Sequence, residues 1–459
     1  MAIARAYFLP HPPLAVPGIG DGDKHKISKT LAAFDQSARE IAALAPDTII
    51  FITPHNTLYS DYFHISPGKS ARGDFSRFNA RGARFETEYD SELAEKIAGI
   101  AEQNGIRAGT LGEKNAALDH GVMVPMWFIN QRFTRYKIVR VSQSGMEPSA
   151  HYRLGRCIAE AAKDTKAVLI ASGDLSHKLT AEGPYGFAPE GAEFDGAVQG
   201  VLSTGDFLSL FKISDSLRES AAECGYNSLM VLAGCFDRQS VAAKPLSYEG
   251  PLGVGYAAAS FTPGEPDEGR AFLEQFTQIA LSDARERRNS EDAYRALARQ
   301  SLEHTVKSGA ALPLPDGLPD ELINRRAGAF VSLHKNGRLR GCVGTIAPTT
   351  GCVALEIIQN AVSAGLRDNR FDQVGASELP YLTYKVDILS PPEPISGPEE
   401  LDVKRYGVIV SSGHKRGLLL PNLDGVDTVA QQVAIARQKG GISENAAVKL
   451  ERFEVVRHE

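Results

Sequence analysis

The chain has 459 residues, 43% hydrophobic and 23% charged, with a formal net charge of −6 and a pI near 6.1. That is ordinary globular composition, long enough for more than one core, and its Lys and Arg residues are scattered, which argues against nucleic acid as the main partner. Five cysteines, odd in number and without a Cys-x-x-Cys pair, point to a reducing compartment. With neither a signal-like h-region at the N-terminus nor an apolar stretch long enough to span a bilayer, the expectation is a cytoplasmic protein without a membrane role.

In chain order, an apolar run at Ala6–Leu9 predicts a buried strand and Ser28–Leu44 a helix. A strand over Asp47–Thr53, a helix near Ser91–Asn104, a strand at Tyr136–Val141 and a helix near Ala150–Ala162 follow. Then come a strand at Ala167–Ala171, a helix near Leu217–Ala233 and strands around Ser240–Ser247 and Gly253–Ser260. Such alternation predicts an α/β domain whose sheet is covered on both faces. Thr262–Gly269, rich in Pro, Gly and acidic residues, reads as a linker. The expected division is 1–263 for the first domain, 264–284 for linker and helix, and 285–459 for the second.

Beyond the linker, Arg270–Arg285 and Asp292–Ser308 read as helices, and Ala311–Pro319 as a proline-rich loop. Asn336-Gly337 between Ala329–His334 and Arg338–Thr345 predicts a tight hairpin. Strands at Tyr381–Leu389, Gly407–Val410 and Gly417–Leu420, with helices near Cys352–Ala364 and Val426–Lys439, complete an α+β domain. No internal repeat is visible.

Four short polar stretches stand out in the first domain: Phe8–Pro13 around His11, Ile52–Asn56 around His55, Ser172–His177, and Ser247–Gly250 around Glu249. Three follow strand-like runs, and strand ends are where open α/β sheets collect ligands. His11, His55 and Glu249 compose a two-His-one-carboxylate set of the kind that binds non-heme Fe(II) and leaves coordination positions open. His177 then remains for general acid–base work. His120, before a helix-like segment, is a second candidate catalytic residue, placed to hold substrate or bound oxygen by a hydrogen bond. Spacing by itself leaves each histidine open to a capping or core-edge role. His25, His64 and His151 lack supporting context and read as surface or packing residues, and Gly253-x-Gly255 lacks the rest of a dinucleotide fingerprint.

Taken together, Pro-His-Pro-Pro at His11, Thr-Pro-His at His55, Asp-His-Gly at His120, Gly-Asp-Leu-Ser-His at His177, Glu223-Cys224-Gly225 and the Tyr-Glu-Gly stretch at Glu249 resemble the LigB-like class III extradiol dioxygenases. The Memo-like proteins belong to the same branch. The resemblance covers residues 1 to about 262. It implies iron ligation by His11, His55 and Glu249, catalysis by His177, and a pocket role for His120. Fe(II) is the expected metal, with Zn(II) or Mn(II) as alternatives. Small aromatic substrate and O2 are the expected reactants. Memo-like relatives have a cysteine in place of the glutamate that this chain keeps.

From about residue 285, the chain resembles the AMMECR-type domain through Leu339–Thr345, Leu366–Phe371 and Arg416–Pro421. Within the first of these, Cys342 beside Arg340 suggests a thiol near a cation, a candidate second site, although tight packing around small residues is the stronger reading of the stretch. Fusion of the two domains resembles the AmmeMemoRadiSam set, whose radical-SAM member would be a separate polypeptide here, because no Cys-x-x-x-Cys-x-x-Cys motif is present. Ring cleavage is thus the leading expectation. A metal-binding scaffold in a modification pathway and a metal-dependent hydrolase are the alternatives, and a homo-oligomer stays open.

Overall fold

The computed structural model describes residues 3–335, 338–423 and 425–459, with the backbone alone at Arg81 and Arg338. The chain divides into two compact units, Met1–Gln278 and Ile279–Glu459.

The first unit is built on a six-stranded sheet. Its strands are β1 (Ile3–Leu9), β2 (Thr48–Thr53) and, after the small hairpin β3 (Ser70–Phe75) and β4 (Ala80–Glu88), β5 (Lys137–Ser142), β6 (Ala167–Ser172), β7 (Gln239–Glu249) and β8 (Tyr256–Pro266). They lie in the order β5-β2-β6-β1-β8-β7. The first four are mutually parallel, and the β7–β8 hairpin joins antiparallel to β1. Uninterrupted apolar runs in β1, β2 and β6 follow from this placement, because both faces of a central parallel strand are buried. Phe8, Ile50, Ile52 and Leu169 enter the core on one face. Their neighbours Tyr7, Leu9, Ile49, Phe51, Val168 and Ile170 enter the core on the other.

Helices α1 (Ser28–Leu44) and α3 (His120–Asn130) contribute to the second of these cores; α2 (Ser91–Gln103), α4 (Pro148–Ala161), α5 (Pro189–Thr204) and α7 (Tyr226–Cys235) contribute to the first. The single helix expected over Leu217–Ala233 is two. A short α6 (Asp215–Ala221) ends at Ala222 in the left-handed conformation, and α7 begins after Gly225. Close approach decides the break: a Cβ on Gly173 would collide with the Cα of Gly225, so the Glu-Cys-Gly segment packs as loop against the end of β6.

The stretch expected as a linker is ordered structure. β8 continues to Pro266 because Pro263 and Pro266 pair with Val241 and Gln239 of the hairpin partner, which overrides the local breaker signal. The unit boundary falls inside α8 (Phe272–Asn289).

In the second unit, α9 (Ala293–Ser308) and α10 (Val353–Leu366) share a core with the sheet β10-β9-β11-β16, where β9 is Ala329–Lys335, β10 Arg338–Gly344, β11 Leu382–Leu389 and β16 Val455–His458. A second sheet, of order β12-β15-β13-β14, joins β12 (Glu393–Ile395), β13 (Gly407–Ser412), β14 (Lys415–Leu419) and β15 (Lys449–Phe453), and packs with α11 (Val429–Lys439). β9 and β10 pair antiparallel as expected. The Asn336-Gly337 turn itself lies outside the described residues. No helix is long and apolar enough to cross a membrane among the described residues.

Candidate metal centre

Three histidines meet at the carboxyl edge of the first sheet. β1 and β2 run parallel with β6 between them, so the segments leaving their ends carry His11 and His55 to the same rim. His120 arrives from the other direction, as the first residue of α3. One ring nitrogen from each lies within 4.8 Å of the others. His11 Nε2 and His55 Nε2 are 2.9 Å apart, a separation that a shared proton or a shared cation satisfies. The rings of His55 and His120 stack at 4.1 Å.

Ser172 at the end of β6 sets the orientation of His11. Its hydroxyl lies 2.6 Å from the carbonyl of Gly121, to which it donates, and 2.9 Å from His11 Nδ1. A hydroxyl has one proton, so toward His11 it accepts, which puts the imidazole proton on Nδ1 and leaves the Nε2 lone pair facing the cluster.

All three rings are held neutral. Burial, then the neighbouring histidines, pushes His11 well below the ordinary imidazole value; loss of water around its ring lowers His55 although the residue stays exposed at the rim, and the same effect takes the half-buried His120 down to about 3. Neutral imidazoles are the form in which histidine binds metal. The residues therefore fit a divalent transition ion, which they can hold through three nitrogens.

Asp119 ties two of the candidate ligands together. Its Oδ1 accepts from Thr53 Oγ1 at 2.6 Å, and the same hydroxyl accepts from the amide of His55 at 3.3 Å. Behind it, Arg140 is fully buried and donates to Ser66 Oγ and to the carbonyls of Asn115 and Ala117, anchoring the loop that leads to His120.

The composition of the cluster departs from the sequence-based expectation at one position. Glu249 stands apart from the histidines, and its Oε1 accepts from the amide of Thr30 at 2.6 Å, serving the otherwise uncapped first turn of α1. Two causes act together. β7 is the edge strand, separated from β1 by β8, and the free amides of a helix N-terminus attract a carboxylate. His120, expected to hold substrate or bound oxygen as a catalytic residue, occupies the third place in the cluster.

The carboxylate that does reach the histidines is Asp174. Its Oδ1 accepts from the His11 amide at 2.8 Å and its Oδ2 lies 3.7 Å from His11 Nε2. Burial raises its pKa to about 7. Cys224 Sγ sits 3.6 Å from the same nitrogen. Both belong to motifs visible in the sequence, Gly-Asp-Leu-Ser-His and Glu-Cys-Gly, from which only His177 drew attention.

His177 is close enough for its charge to depress His11 and His55, and burial lowers its own pKa. Its Nδ1 is buried without a hydrogen-bond partner among the described residues, and Tyr185 meets its ring edge-on at 5.1 Å. A cleft of about 1040 Å³ opens beside His55 and His120, with Phe78 and Met123 as apolar walls. Phe78 lies edge-on to His120 at 5.5 Å.

Residues 5–259, more than half of the chain, match the family described as the catalytic LigB subunit of aromatic ring-opening dioxygenase. The chain belongs to the LigB family. Residues 295–458 match AMMECR1, so a LigB domain is followed by an AMMECR1 domain. A similar protein, CA_C1420 of Clostridium acetobutylicum, is 40% identical over 468 residues, covering 100% of this chain and 99% of its own. A Thermotoga maritima protein is 49% identical over 170 residues, covering 37% of this chain and 98% of its own. The crystal structure of protein PH0010 from Pyrococcus horikoshii, 29% identical, covers 36% of this chain and 88% of that one, with a TM-score of 0.34.

In the AMMECR1 domain, the cation expected to act on Cys342 is engaged elsewhere. Arg340 forms a fork with Glu378 through Nε and Nη2, both at 3.0 Å. The Cys342 thiol instead lies 3.2 Å from Ser332 Oγ, and its amide donates to Asp368, which Arg370 holds. Sequence reading missed Glu356. Buried at 1% exposure, it accepts from the hydroxyls of Thr345, Thr349 and Thr350 and from the amides of Thr349 and Thr350, gathering the loop after the Cys342 strand.

Proposed function

We propose that the LigB domain is an extradiol dioxygenase-type enzyme that uses Fe(II) and O2 on a catecholic or related aromatic compound. The observation that supports this most is the meeting of three neutral imidazoles at one sheet edge, next to the half-buried His177, whose Nδ1 is buried with no hydrogen-bond partner among the described residues. Bound ferrous iron would supply chelation of the diol and activation of oxygen.

The chain's own residues do the rest. His11, His55 and His120 are the candidate ligands, with Asp174 as a buried carboxylate beside them. His177, neutral at pH 7, accepts a proton from a substrate hydroxyl and returns it to the product. Phe78 and Met123 provide apolar surface for an aromatic ring and limit access of water to that side of the cleft.

One observation favours a second reading. Three histidines without Glu249 form the donor set of hydrolytic zinc sites, where a bound water with His177 as base would attack an ester or amide. The AMMECR1 domain on the same chain supports a non-enzymatic variant, a metal-binding scaffold that works with a separate radical-SAM protein.

Protein purified without air, assayed for elemental content and then for O2 uptake with a panel of catechols, tests the proposal. Iron together with catechol-dependent uptake is expected. Zinc with ester hydrolysis would replace it by the hydrolase reading, and no turnover together with capture of a radical-SAM protein by the scaffold.

A further inference from the structure

The second unit contains a cavity of about 240 Å³ formed by the end of α8, the start of α9 and the start of β11. Its volume is that of about eight waters at liquid density, enough for a compact organic molecule. Leu379, Pro380 and Leu382 give it apolar surface, while five cationic side chains face it against two carboxylates.

Most of those cations are already committed. Arg299 Nε donates to Glu291 at 2.8 Å, Arg288 Nη2 to the buried Glu303 at 2.5 Å, and Lys385 to Glu459 at 2.6 Å. Two guanidinium groups keep unused capacity. Arg287 has no carboxylate partner among the described residues. Arg295 sends Nη2 to the Ser290 carbonyl at 2.9 Å, but its Nε is buried without an acceptor, 3.8 Å from Asp292.

Tyr384 adds a separate signal. It lines the cavity at 4% exposure, and its hydroxyl is buried with no hydrogen-bond partner among the described residues. A buried phenol normally finds an acceptor. A water would satisfy the hydroxyl, but a cationic wall over an apolar floor selects an anion that carries carbon.

We propose that this cavity binds a small organic anion, a carboxylate or phosphate group on a compact apolar body. The guanidinium groups of Arg287 and Arg295 bind the anionic oxygens through charge-assisted hydrogen bonds. The Tyr384 hydroxyl donates to the same group, and the body rests on Leu379 and Leu382. This site is independent of the metal chemistry proposed for the first unit, since all its residues lie beyond Gln278.

Titration calorimetry on the full chain at low salt, with benzoate, phenyl phosphate and benzamide as probes, tests it. Saturable binding of at least one anion and none of the neutral amide is expected, and the tighter anion assigns the head group. Arg287→Ser and Tyr384→Phe, which remove an exposed side chain and a single hydroxyl, should each weaken that binding by about tenfold, the scale of one lost charge-assisted contact. Failure of both anions to bind at millimolar concentration would overturn the proposal. So would equal binding of benzamide, or anion binding that both variants leave intact.

Discussion

Ser172 Oγ lies between His11 Nδ1 and the Gly121 carbonyl, so the hydroxyl at the end of β6 determines which nitrogen of His11 faces the cluster. The tautomer of a prospective ligand is thus determined by a residue that stands outside the histidine cluster. Ser172→Ala should lower metal affinity by about 10–100-fold, the usual effect of losing such an outer partner. Chelator competition measures it, and an unchanged affinity would show that His11 needs no such support.

Glu249 caps α1 while His120 stands in the histidine cluster, and substitution separates this arrangement from the ligand set that the sequence suggested. Glu249→Gln keeps an acceptor for the Thr30 amide and should leave metal content unchanged. Glu249→Ala removes the cap and should cost about 1 kcal/mol of stability. His120→Ala, in contrast, should reduce metal content. Loss of metal in Glu249→Gln would restore the glutamate to the ligand set.

His177→Phe should retain metal while cutting turnover of the native substrate by about 100-fold or more, the scale of lost general base catalysis. Metal analysis and oxygen uptake on the same preparation check both halves. A variant that loses its metal would place His177 among the ligands.

Acid should destabilise the first unit through His64. The ring is fully buried, neither nitrogen has a hydrogen-bond partner among the described residues, and burial followed by Arg140 lowers its pKa to about 4. The unfolded chain takes up this proton near pH 6.5, whereas the folded chain resists until about pH 4, so stability is complete above 6.5 and falls as pH drops through that window. The loss at pH 5 is about 1–2 kcal/mol. His64→Phe should lessen the fall in melting temperature between pH 7 and pH 5, and an identical fall in both proteins would remove His64 as its cause.

Gly341, inside the Leu-Arg-Gly-Cys-Val-Gly stretch, should not tolerate a side chain, because its Cβ would overlap the carbonyl of Ala364 at the end of α10. Gly341→Ala should cost about 1–3 kcal/mol, as overpacking does. Denaturant unfolding reads this directly. A neutral result would mean that the strand and α10 separate more easily than their packing implies.

Much of this architecture was legible in the residues themselves. Apolar runs at Ala6–Leu9, Asp47–Thr53 and Ala167–Ala171 marked the central strands because both faces of each are buried, and the residues after them marked the rim. His11 and His55 follow, since parallel neighbours deliver their ends to one edge regardless of sequence distance. The Leu339–Thr345 stretch likewise identified the second domain.

What local sequence could not determine was set by contacts between distant segments. Glu249 follows a strand in a motif as distinct as the others, yet strand order places β8 between it and β1, and no local pattern encodes strand order. His120 joins the cluster because α3 starts over the same rim. Asp174 and Cys224 converge on His11 through glycine contacts between segments some fifty residues apart, about the separation of Gly173 and Gly225. The Thr262–Gly269 stretch shows the same physics in the fold: breaker residues predict a linker, but pairing with Val241 and Gln239 holds it as strand to Pro266. Sequence alone marked the central strands and the histidines after them; tertiary packing decided which side chains meet, because a ligand set depends on distances between side chains that are remote along the chain.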